Sequence, residues 1–451
     1  MPSENYILLE RTELNASAAS VTFANIPQTG YTDLKVVWSA RYASGSGFAL
    51  LDFNNLSTAN FSNRVIEGTG ASAISFVAGN TNYAGGLVAA TDTANTFTNC
   101  ELYIPNAFGS TAKSYSIEAV TENNGTTAYA DMIAGLWNNT AAITAVKIST
   151  GSGAAFAANS TFSLYGIASV GATPAIAPKA SGGNVIATDG TYWYHAFLSS
   201  GNFVPQVGLT ADMLVIAGGG GGGGDVGGGG GAGRVYALTS QSLLSATNYV
   251  CTVGAGGATN SPAINAPGLK GTDSSFIGGA FSYTSLGGGG GNGRQAQTTA
   301  PNDGWNGGGG SYDSNRGPTA GNGGYSGGTT SNPGTTNCQA GGGGGAAEAG
   351  NTDAIGEGGD GINTYSSWAT ATLTGVSGFY AGGGGGGYYS RDSGVTAGGA
   401  GGGGAGGNNI AAATNGTANT GSGGGGGGSS GSVPGGTGGS GIVIIRYPIA
   451  S

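Results

Sequence analysis

Eight uninterrupted glycine runs, each four to seven residues long, dominate the second half of this chain. Glycine inside a helix costs roughly 1 kcal/mol relative to alanine, so the runs exclude an ordinary helical protein. No Gly-X-Y register accompanies them, which excludes collagen. The runs are Gly218–Gly224, Gly227–Gly231, Gly287–Gly291, Gly307–Gly310, Gly341–Gly345, Gly382–Gly387, Gly401–Gly404 and Gly423–Gly428.

The glycine is concentrated in one part of the chain. Residues 1–180 contain 15 glycines and residues 181–451 contain 84. Between the two parts lies the sequence PAIAPKASGG at 174–183, whose composition is typical of a linker. We therefore predict a domain at 1–172, a linker at 173–183 and a glycine-rich domain at 184–451. Hydrophobic residues make up 38% of the chain, which argues against a disordered glycine-rich segment.

Short runs of β-branched, aromatic and aliphatic residues alternate with Asn, Gly, Ser and Thr clusters in the first domain. Tyr115–Val120, for example, shows the two-residue alternation of a half-buried strand. We predict an antiparallel β-sandwich that is jelly-roll-like. The predicted strands are Tyr6–Leu9, Leu34–Trp38, Phe48–Phe53, Ile74–Val77, Phe97–Ile104, Tyr115–Val120, Ala130–Trp137, Ile143–Ile148 and Phe162–Ile167.

Uninterrupted glycine can form an extended helix of the polyproline-II type, with three residues per turn and a rise of about 3.1 Å. Such a helix has no internal hydrogen bonds, so its N–H and C=O groups need partners elsewhere. Without side chains, many of these helices can pack side by side and bond to several neighbours. The glycine runs therefore predict a bundle of packed polyglycine-II helices. The alternative is a flexible glycine spacer between two sheets.

Apolar strands flank this predicted bundle. Met213–Ala217 leads directly into the first glycine run, and Gly435–Gly441 leads into Ile442–Tyr447. Continuous apolar strands are typically buried on both faces. We predict that the two strands are neighbours in a small β-sheet that supports the glycine helices. The predicted fold class is thus all-β throughout.

Charge and residue counts exclude several functions. The net charge is −9 and the five lysines are scattered, so the chain lacks the basic patch of a nucleic-acid-binding protein. Three cysteines without a CxxC motif indicate neither a zinc site nor a disulfide framework. His195 is the one histidine, which argues against His-based triads and His metal sites. We predict no catalytic residue, metal or cofactor.

A carboxylate-based enzyme is the weaker alternative. Glu118, Glu122 and Asp131 are the densest acidic residues of the first domain, and a paired-carboxylate glycosidase site is conceivable there. The competing interpretation places Glu118 and Glu122 on the solvated face or turn of a hairpin. We favour that interpretation and predict that the protein is not an enzyme.

The first ten residues, MPSENYILLE, include Glu4 and Glu10 and do not resemble a signal peptide. No apolar run approaches the roughly 18 residues of a membrane-spanning helix, so we predict no membrane insertion. The expected route is assembly in a host cytoplasm without Sec-type export.

Two segments resemble a known family. The sequence TDGTYWYHAFLSSGNF…ADMLVIAGGGGGGG at 188–224 and the sequence GGTGGSGIVIIRYP at 435–448 are similar to glycine-rich domains of bacteriophage tail-fibre and adhesin proteins. The resemblance covers residues 181–451. It implies that polyglycine-II helices pack together and that loops at their distal ends bind a host receptor. This chain departs from the family in carrying a large β-domain first.

Segments between the glycine runs are the candidate binding elements, because loops on a rigid frame commonly carry function. Tyrosine and tryptophan give a large contact area at low entropic cost, and aromatic rings stack on sugars. The alternative is that these aromatic residues cap and seal the glycine bundle. The candidate receptor-binding residues are Trp305, Tyr312, Arg316, Tyr325, Tyr365, Trp368, Tyr380, Tyr388, Tyr389, Arg391 and Asp392.

These features favour a phage virion adhesin that binds a host-cell surface polysaccharide or outer-membrane protein. Other virion proteins are the expected partners, and a homotrimer is the expected assembly because fibre proteins are usually trimers about an axis. The alternative is a structural virion protein, such as a head fibre, a capsid decoration protein or a tail connector. A bacterial surface adhesin and a depolymerase are less favoured, the former because no signal peptide is recognised.

Overall fold

The computed structural model describes residues 6–56, 60–79, 81–123, 125, 128–169, 177–259, 266–294, 304–312, 323–389, 395–429 and 434–449. The chain divides into two compact units. The sandwich unit contains residues 1–179 and 184–193, and the glycine-rich unit contains residues 180–183 and 194–449. The predicted linker, 173–183, lies partly outside the described residues, and within it Ala180–Ser181 forms a strand.

The described residues form 22 strands and one short helix. The first twelve strands are β1 Tyr6–Glu13, β2 Ser20–Phe23, β3 Tyr31–Ala40, β4 Gly47–Phe53, β5 Phe61–Gly68, β6 Ala73–Phe76, β7 Tyr83–Leu87, β8 Thr98–Ile104, β9 Lys113–Val120, β10 Ala130–Trp137, β11 Val146–Thr150 and β12 Thr161–Ala168. The later elements are β13 Ala180–Ser181, β14 Val185–Thr188, β15 Tyr192–Phe197, β16 Gly201–Pro205, β17 Leu209–Ile216, β18 Val235–Leu243, β19 Tyr249–Thr252, β20 Ser274–Gly278, β21 Phe281–Ser285, α1 Ser366–Thr372 and β22 Ile442–Pro448.

Two antiparallel sheets form the sandwich unit. The larger has the strand order β14-β1-β12-β3-β8-β9-β10-β5-β6, and the smaller has the order β2-β11-β4-β7. Strands β9 and β10 alternate strictly between buried and exposed residues, so one face of the sheet contacts the core and the other contacts solvent. Buried residues from both sheets, including Trp38, Phe53 and Trp137, form one hydrophobic core. The predicted antiparallel sandwich is confirmed.

The strands of the glycine-rich unit form two hydrogen-bonded groups. One has the order β18-β17-β22-β15, and the other has the order β13-β16-β19-β20-β21. Strands β17 and β22 pair antiparallel from Asp212 opposite Arg446 to Ile216 opposite Ile442. The two strands that flank the glycine-rich sequence are therefore neighbours, as predicted. Their residues Met213–Ile216 and Ile442–Ile445 are completely buried.

Hydrogen bonds of the first glycine run repeat every three residues. Gly218, Gly221 and Gly224 donate to the segment 266–272, whereas Gly219 and Gly222 donate to the segment 436–439. The remaining glycines, Gly220 and Gly223, donate to the segment 228–231. A helix with three residues per turn presents successive N–H groups in three directions, so this pattern identifies polyglycine-II packing. The predicted bundle is confirmed.

The neighbouring backbones are too close for side chains. A Cβ atom added to Gly220 would lie 2.0 Å from the carbonyl oxygen of Gly289, and one added to Gly222 would lie 2.0 Å from the carbonyl oxygen of Gly425. Those distances are well inside van der Waals contact, so glycine is required by the close approach of the chains. The composition of the runs therefore follows directly from the packing.

The glycine segments run between two ends of the unit, which we name from the first hairpin. Strand β17 continues into Gly218–Gly224, the chain turns at Asp225–Val226, and Gly227–Gly231 leads back to β18. We call the side with β17, β18 and β22 the sheet end and the side with Asp225–Val226 the far end. No helix among the described residues is both long enough and apolar enough to cross a bilayer.

Candidate binding surfaces

The predicted receptor-binding residues are divided between the two ends of the glycine-rich unit. At the far end, Tyr312 N–H donates to the Val226 carbonyl over 3.1 Å and Tyr389 N–H donates to the Cys338 carbonyl over 3.0 Å. At the sheet end, Trp305 N–H donates to the carbonyl of Gly287, the residue that follows β21 by two positions. The far-end set is Tyr312, Tyr388 and Tyr389, and the sheet-end set is Trp305, Tyr325, Tyr365, Trp368 and Tyr380. Arg316, Arg391 and Asp392 lie outside the described residues.

Five residues form what we call the far-end cluster: Asp225, Val226, Arg294, Tyr312 and Tyr389. The rings of Tyr312 and Tyr389 are stacked with centroids 5.4 Å apart. The guanidinium carbon of Arg294 lies 4.6 Å from the Tyr312 ring centre and 6.0 Å from that of Tyr389. Its Nη1 atom lies 2.9 Å from Asp225 Oδ2. The glycine helices thus carry a compact group of aromatic and charged side chains.

Val226 packs against the two tyrosines of this cluster and has an unusual backbone conformation. Its φ is 52°, and a β-branched residue with positive φ is a genuine outlier. The side chain is fully buried against Cys338 and Ala340, with Tyr312 and Tyr389 packed against the same group. Strain of this kind costs of order 1–3 kcal/mol and persists only where the surroundings fix it. The tight packing therefore supplies a rigid support for the two tyrosines.

The far-end cluster has the chemistry of a polar recognition surface. The hydrogen bond to Asp225 raises the pKa of Arg294, so the guanidinium stays charged. The side chain of Arg294 is about one-third exposed, and Tyr312 and Tyr389 are partly exposed. Rigid tyrosines beside an arginine offer both a flat contact area and hydrogen-bond donors. Such a group can bind a sugar or a polar segment of a protein.

Tyr365 and Trp368 belong to a separate pocket at the sheet end. Helix α1 places Trp368 over strand β22, where the Arg446 guanidinium carbon lies 4.5 Å from the Trp368 ring centre. Arg446 Nε and Nη2 donate to Asp212 Oδ2 over 3.0 and 2.9 Å. Tyr365 and Tyr194 make edge contacts with the Trp368 ring at 5.6 and 6.1 Å. The structure therefore brings the predicted residues Tyr365 and Trp368 together with Asp212 and Arg446, which the sequence did not indicate as site residues.

The remaining sheet-end residues differ in exposure. Trp305 is partly buried, and the guanidinium carbon of Arg234 lies 4.2 Å from the centre of the Trp305 ring. Tyr325 is 43% exposed. Tyr380 is fully buried and its hydroxyl bonds to Thr374 over 2.6 Å. The alternative interpretation, in which aromatic residues seal the bundle, therefore describes Tyr380, whose side chain is not accessible to a receptor.

The acidic residues considered in the sandwich unit differ in burial. Glu118 is exposed on β9, whereas Asp131 faces the core, where its Oδ2 accepts from the Tyr83 hydroxyl over 2.9 Å and from Gly86 N–H over 3.0 Å. Glu67 lies opposite Asp131 on β5. Burial, followed by the charge of Asp131, raises the pKa of Glu67. Asp131 on β10 therefore connects the two sheets through its hydrogen bonds to β7.

A second acidic group lies in the glycine-rich unit. Oxygen atoms of Glu348, Asp353 and Asp360 lie within 4.8 Å of one another. Glu348 Oε1 accepts from Asp360 N–H, and Asp360 Oδ1 accepts from Ala400 N–H. These bonds connect backbone segments near the glycine helices, so two of the three carboxylates have a structural role. We assign no ligand to this group.

Sequence reasoning missed four charged residues that shape these surfaces: Asp225, Arg294, Asp212 and Arg446. The sequence contains a signal for two of them, Asp225 and Arg446. Asp225 begins the two-residue interruption between the first and second glycine runs, which marks a turn. Arg446 is the single charge in the apolar segment that closes the chain. The partners of both residues are distant in sequence and could be identified only from the fold.

Comparison with known families agrees with this architecture. Residues 198–448 match the model of a family described as a glycine-rich domain. Because the match covers more than half of the chain, the protein belongs to this glycine-rich domain family. No curated protein matches the chain in sequence.

Proposed function

We propose that this protein is a non-enzymatic adhesin of a bacteriophage virion fibre, which binds a host-cell surface polysaccharide or outer-membrane protein. The observation that carries the proposal is the far-end cluster. There a hydrogen-bonded glycine bundle presents Tyr312, Tyr389 and Arg294, which are partly exposed residues of the types that dominate binding surfaces.

Rigid presentation supports this role. Binding is weakened by the entropy lost when flexible side chains and loops become ordered, so a pre-ordered surface retains more of its contact energy. The buried Val226 and the ion pair between Arg294 and Asp225 restrict the far-end cluster before any ligand arrives. The sandwich unit would then connect the adhesin to other virion proteins, with a trimer as the proposed assembly.

A cell-binding assay with the full chain tests the proposal. Labelled protein is titrated onto a panel of bacterial strains, beside the double variant Tyr312→Ala/Tyr389→Ala. We expect the double variant to bind a susceptible strain about tenfold more weakly or worse, because central aromatic contacts carry much of the binding energy. The matched control is Tyr6→Ala, which removes an exposed tyrosine of the sandwich unit.

Antibody labelling of virions in the electron microscope gives the second test. Label on tail fibres, together with loss of cell binding in the double variant, supports the adhesin. Label on the capsid, with no binding of folded protein to any strain, would instead indicate the alternative structural role as a head fibre or decoration protein.

A further inference from the structure

The sheet end of the glycine-rich unit contains a cavity of about 350 Å³. Strands β17, β18 and β22 form one side of it, and helix α1 with the preceding residues forms the other. The volume lies at the lower end of the range of small-molecule sites, about 300–1,000 Å³. We call it the Asp212–Arg446 pocket, after the ion pair in its wall.

The two charged side chains of the pocket, Asp212 and Arg446, form an ion pair and balance each other's charge. Asp212 and Arg446 are opposite each other in the β17–β22 register, and both Nε and Nη2 of Arg446 donate to Asp212 Oδ2. Asp212 Oδ1 accepts from Ser240 N–H over 3.0 Å, at a bulge between β17 and β18. An anionic ligand would meet the Asp212 carboxylate and a cationic one would meet the Arg446 guanidinium. A neutral ligand with hydroxyl groups can bond to both.

The other walls suit a ligand with one apolar and one polar face. Tyr365 is partly exposed in the cavity, and Thr239, Thr364 and Ser367 add hydroxyl groups at its exposed rim. Trp368 is 5% exposed and is covered by Arg446, so it positions Arg446 and Tyr365. An aromatic ring that is apolar on its face, set beside a few fixed polar groups, is the usual composition of a specific small-ligand site.

We propose that the Asp212–Arg446 pocket is a binding site for a neutral saccharide unit. The C–H face of the sugar packs on Tyr365, while adjacent hydroxyl groups accept from Arg446 and donate to Asp212. This site lies at the opposite end of the glycine helices from the far-end cluster. The inference therefore stands whether or not the far-end cluster binds a host receptor.

A glycan array carrying neutral and acidic oligosaccharides, probed with the full chain, tests this site. We expect binding to neutral glycans. The Tyr365→Ala and Thr239→Trp variants should each weaken that binding by about tenfold or more, the first by removing the aromatic contact and the second by filling the cavity. Thr239 is exposed, so the larger side chain does not disturb the core. Thermal melting verifies that both variants fold.

Three outcomes would overturn the inference. One is that the folded wild-type chain binds no neutral glycan at millimolar concentrations. Another is that it binds acidic glycans alone. The third is that Tyr312→Ala/Tyr389→Ala abolishes glycan binding while the pocket variants retain it, which would place the sugar at the far-end cluster and support the proposed adhesin site instead. Tyr6→Ala is the matched control and should bind as the wild type does.

Discussion

His195 Nε2 lies 3.0 Å from the hydroxyl oxygen of Tyr447 in the interior of the glycine-rich unit. Its Nδ1 lies 2.7 Å from the carbonyl oxygen of Gly182. A carbonyl only accepts, so the arrangement fits a neutral ring that donates from Nδ1 and accepts the Tyr447 hydroxyl at Nε2. The two rings are stacked with centroids 5.6 Å apart. The one histidine of the chain thus connects β15 to β22, the last strand.

This contact predicts acid sensitivity of the glycine-rich unit. Burial lowers the pKa of His195 to about 4, against the opposing effect of the Gly182 hydrogen bond. This pKa lies below the ordinary value of about 6.5. The contribution of neutral His195 to the free energy of unfolding is therefore complete above pH 6.5 and is lost as the pH falls through 4. We expect the free energy of unfolding of this unit to decrease across that interval. Calorimetric melting at stepped pH, with His195→Gln as the comparison, checks it; an unchanged pH slope in His195→Gln contradicts the assignment.

Glu10 predicts the opposite pH dependence for the sandwich unit. Burial raises the pKa of Glu10 to about 8. The contribution of the neutral Glu10 carboxyl to the free energy of unfolding is therefore complete below pH 4.5, and it declines as the pH rises towards 8. We expect Glu10→Gln to stabilise the unit at pH 8 by several kcal/mol, at about 1.4 kcal/mol per pKa unit, and to leave it unchanged at pH 4. Denaturant unfolding at both pH values measures this. The exposed control Glu118→Gln should show no such difference, and equal shifts in the two variants count against a special role for Glu10.

The packed glycine bundle predicts that two Gly→Ala substitutions differ strongly in their effect on the free energy of unfolding. At Gly220 the new Cβ would lie 2.0 Å from the Gly289 carbonyl oxygen, whereas at Gly208 it would lie 3.8 Å from the Leu243 carbonyl oxygen. We expect Gly220→Ala to destabilise the glycine-rich unit by more than about 4 kcal/mol and Gly208→Ala to change it by less than about 0.5 kcal/mol. Calorimetry and limited proteolysis report the two units separately. Similar melting of both variants would falsify the packed bundle.

Replacing Leu373 with glycine should stabilise the glycine-rich unit. Leu373 follows α1 with a φ of 53° and is about half exposed, so its side chain gains little from burial. Left-handed backbone costs a non-glycine residue roughly 1–2 kcal/mol, and helices commonly end in glycine for that reason. We expect Leu373→Gly to raise the free energy of unfolding by about 0.5–1 kcal/mol. Thr370→Gly, inside the same helix, should lower it; a loss of stability in both variants would show that Leu373 makes contacts that outweigh the strain.

Most strand locations in the first domain could be predicted, because those strands carry their own alternating or apolar pattern. Nine runs in the first domain and the strands flanking the glycine all appear in the structure. Strands β2, β5 and β7 were not predicted. In β5, Phe61, Asn63 and Val65 alternate with exposed residues, but the pattern is obscured because polar Asn63 faces inward. Helix α1 was missed because its sequence, SSWATAT, has no helical periodicity. Its Trp368 packs against Tyr194, and that tertiary contact, rather than local propensity, holds the helix.

The sequence predicted that the glycine helices pack without side chains, because such helices have no internal hydrogen bonds and their N–H and C=O groups need close neighbours. It could not determine which end of the bundle each aromatic residue occupies. A glycine run has the same composition in either direction, so its direction depends on which distant segments accept its hydrogen bonds. Tertiary structure alone therefore separated Tyr312 and Tyr389 from Tyr365 and Trp368, and paired Asp212 with Arg446 across 234 residues.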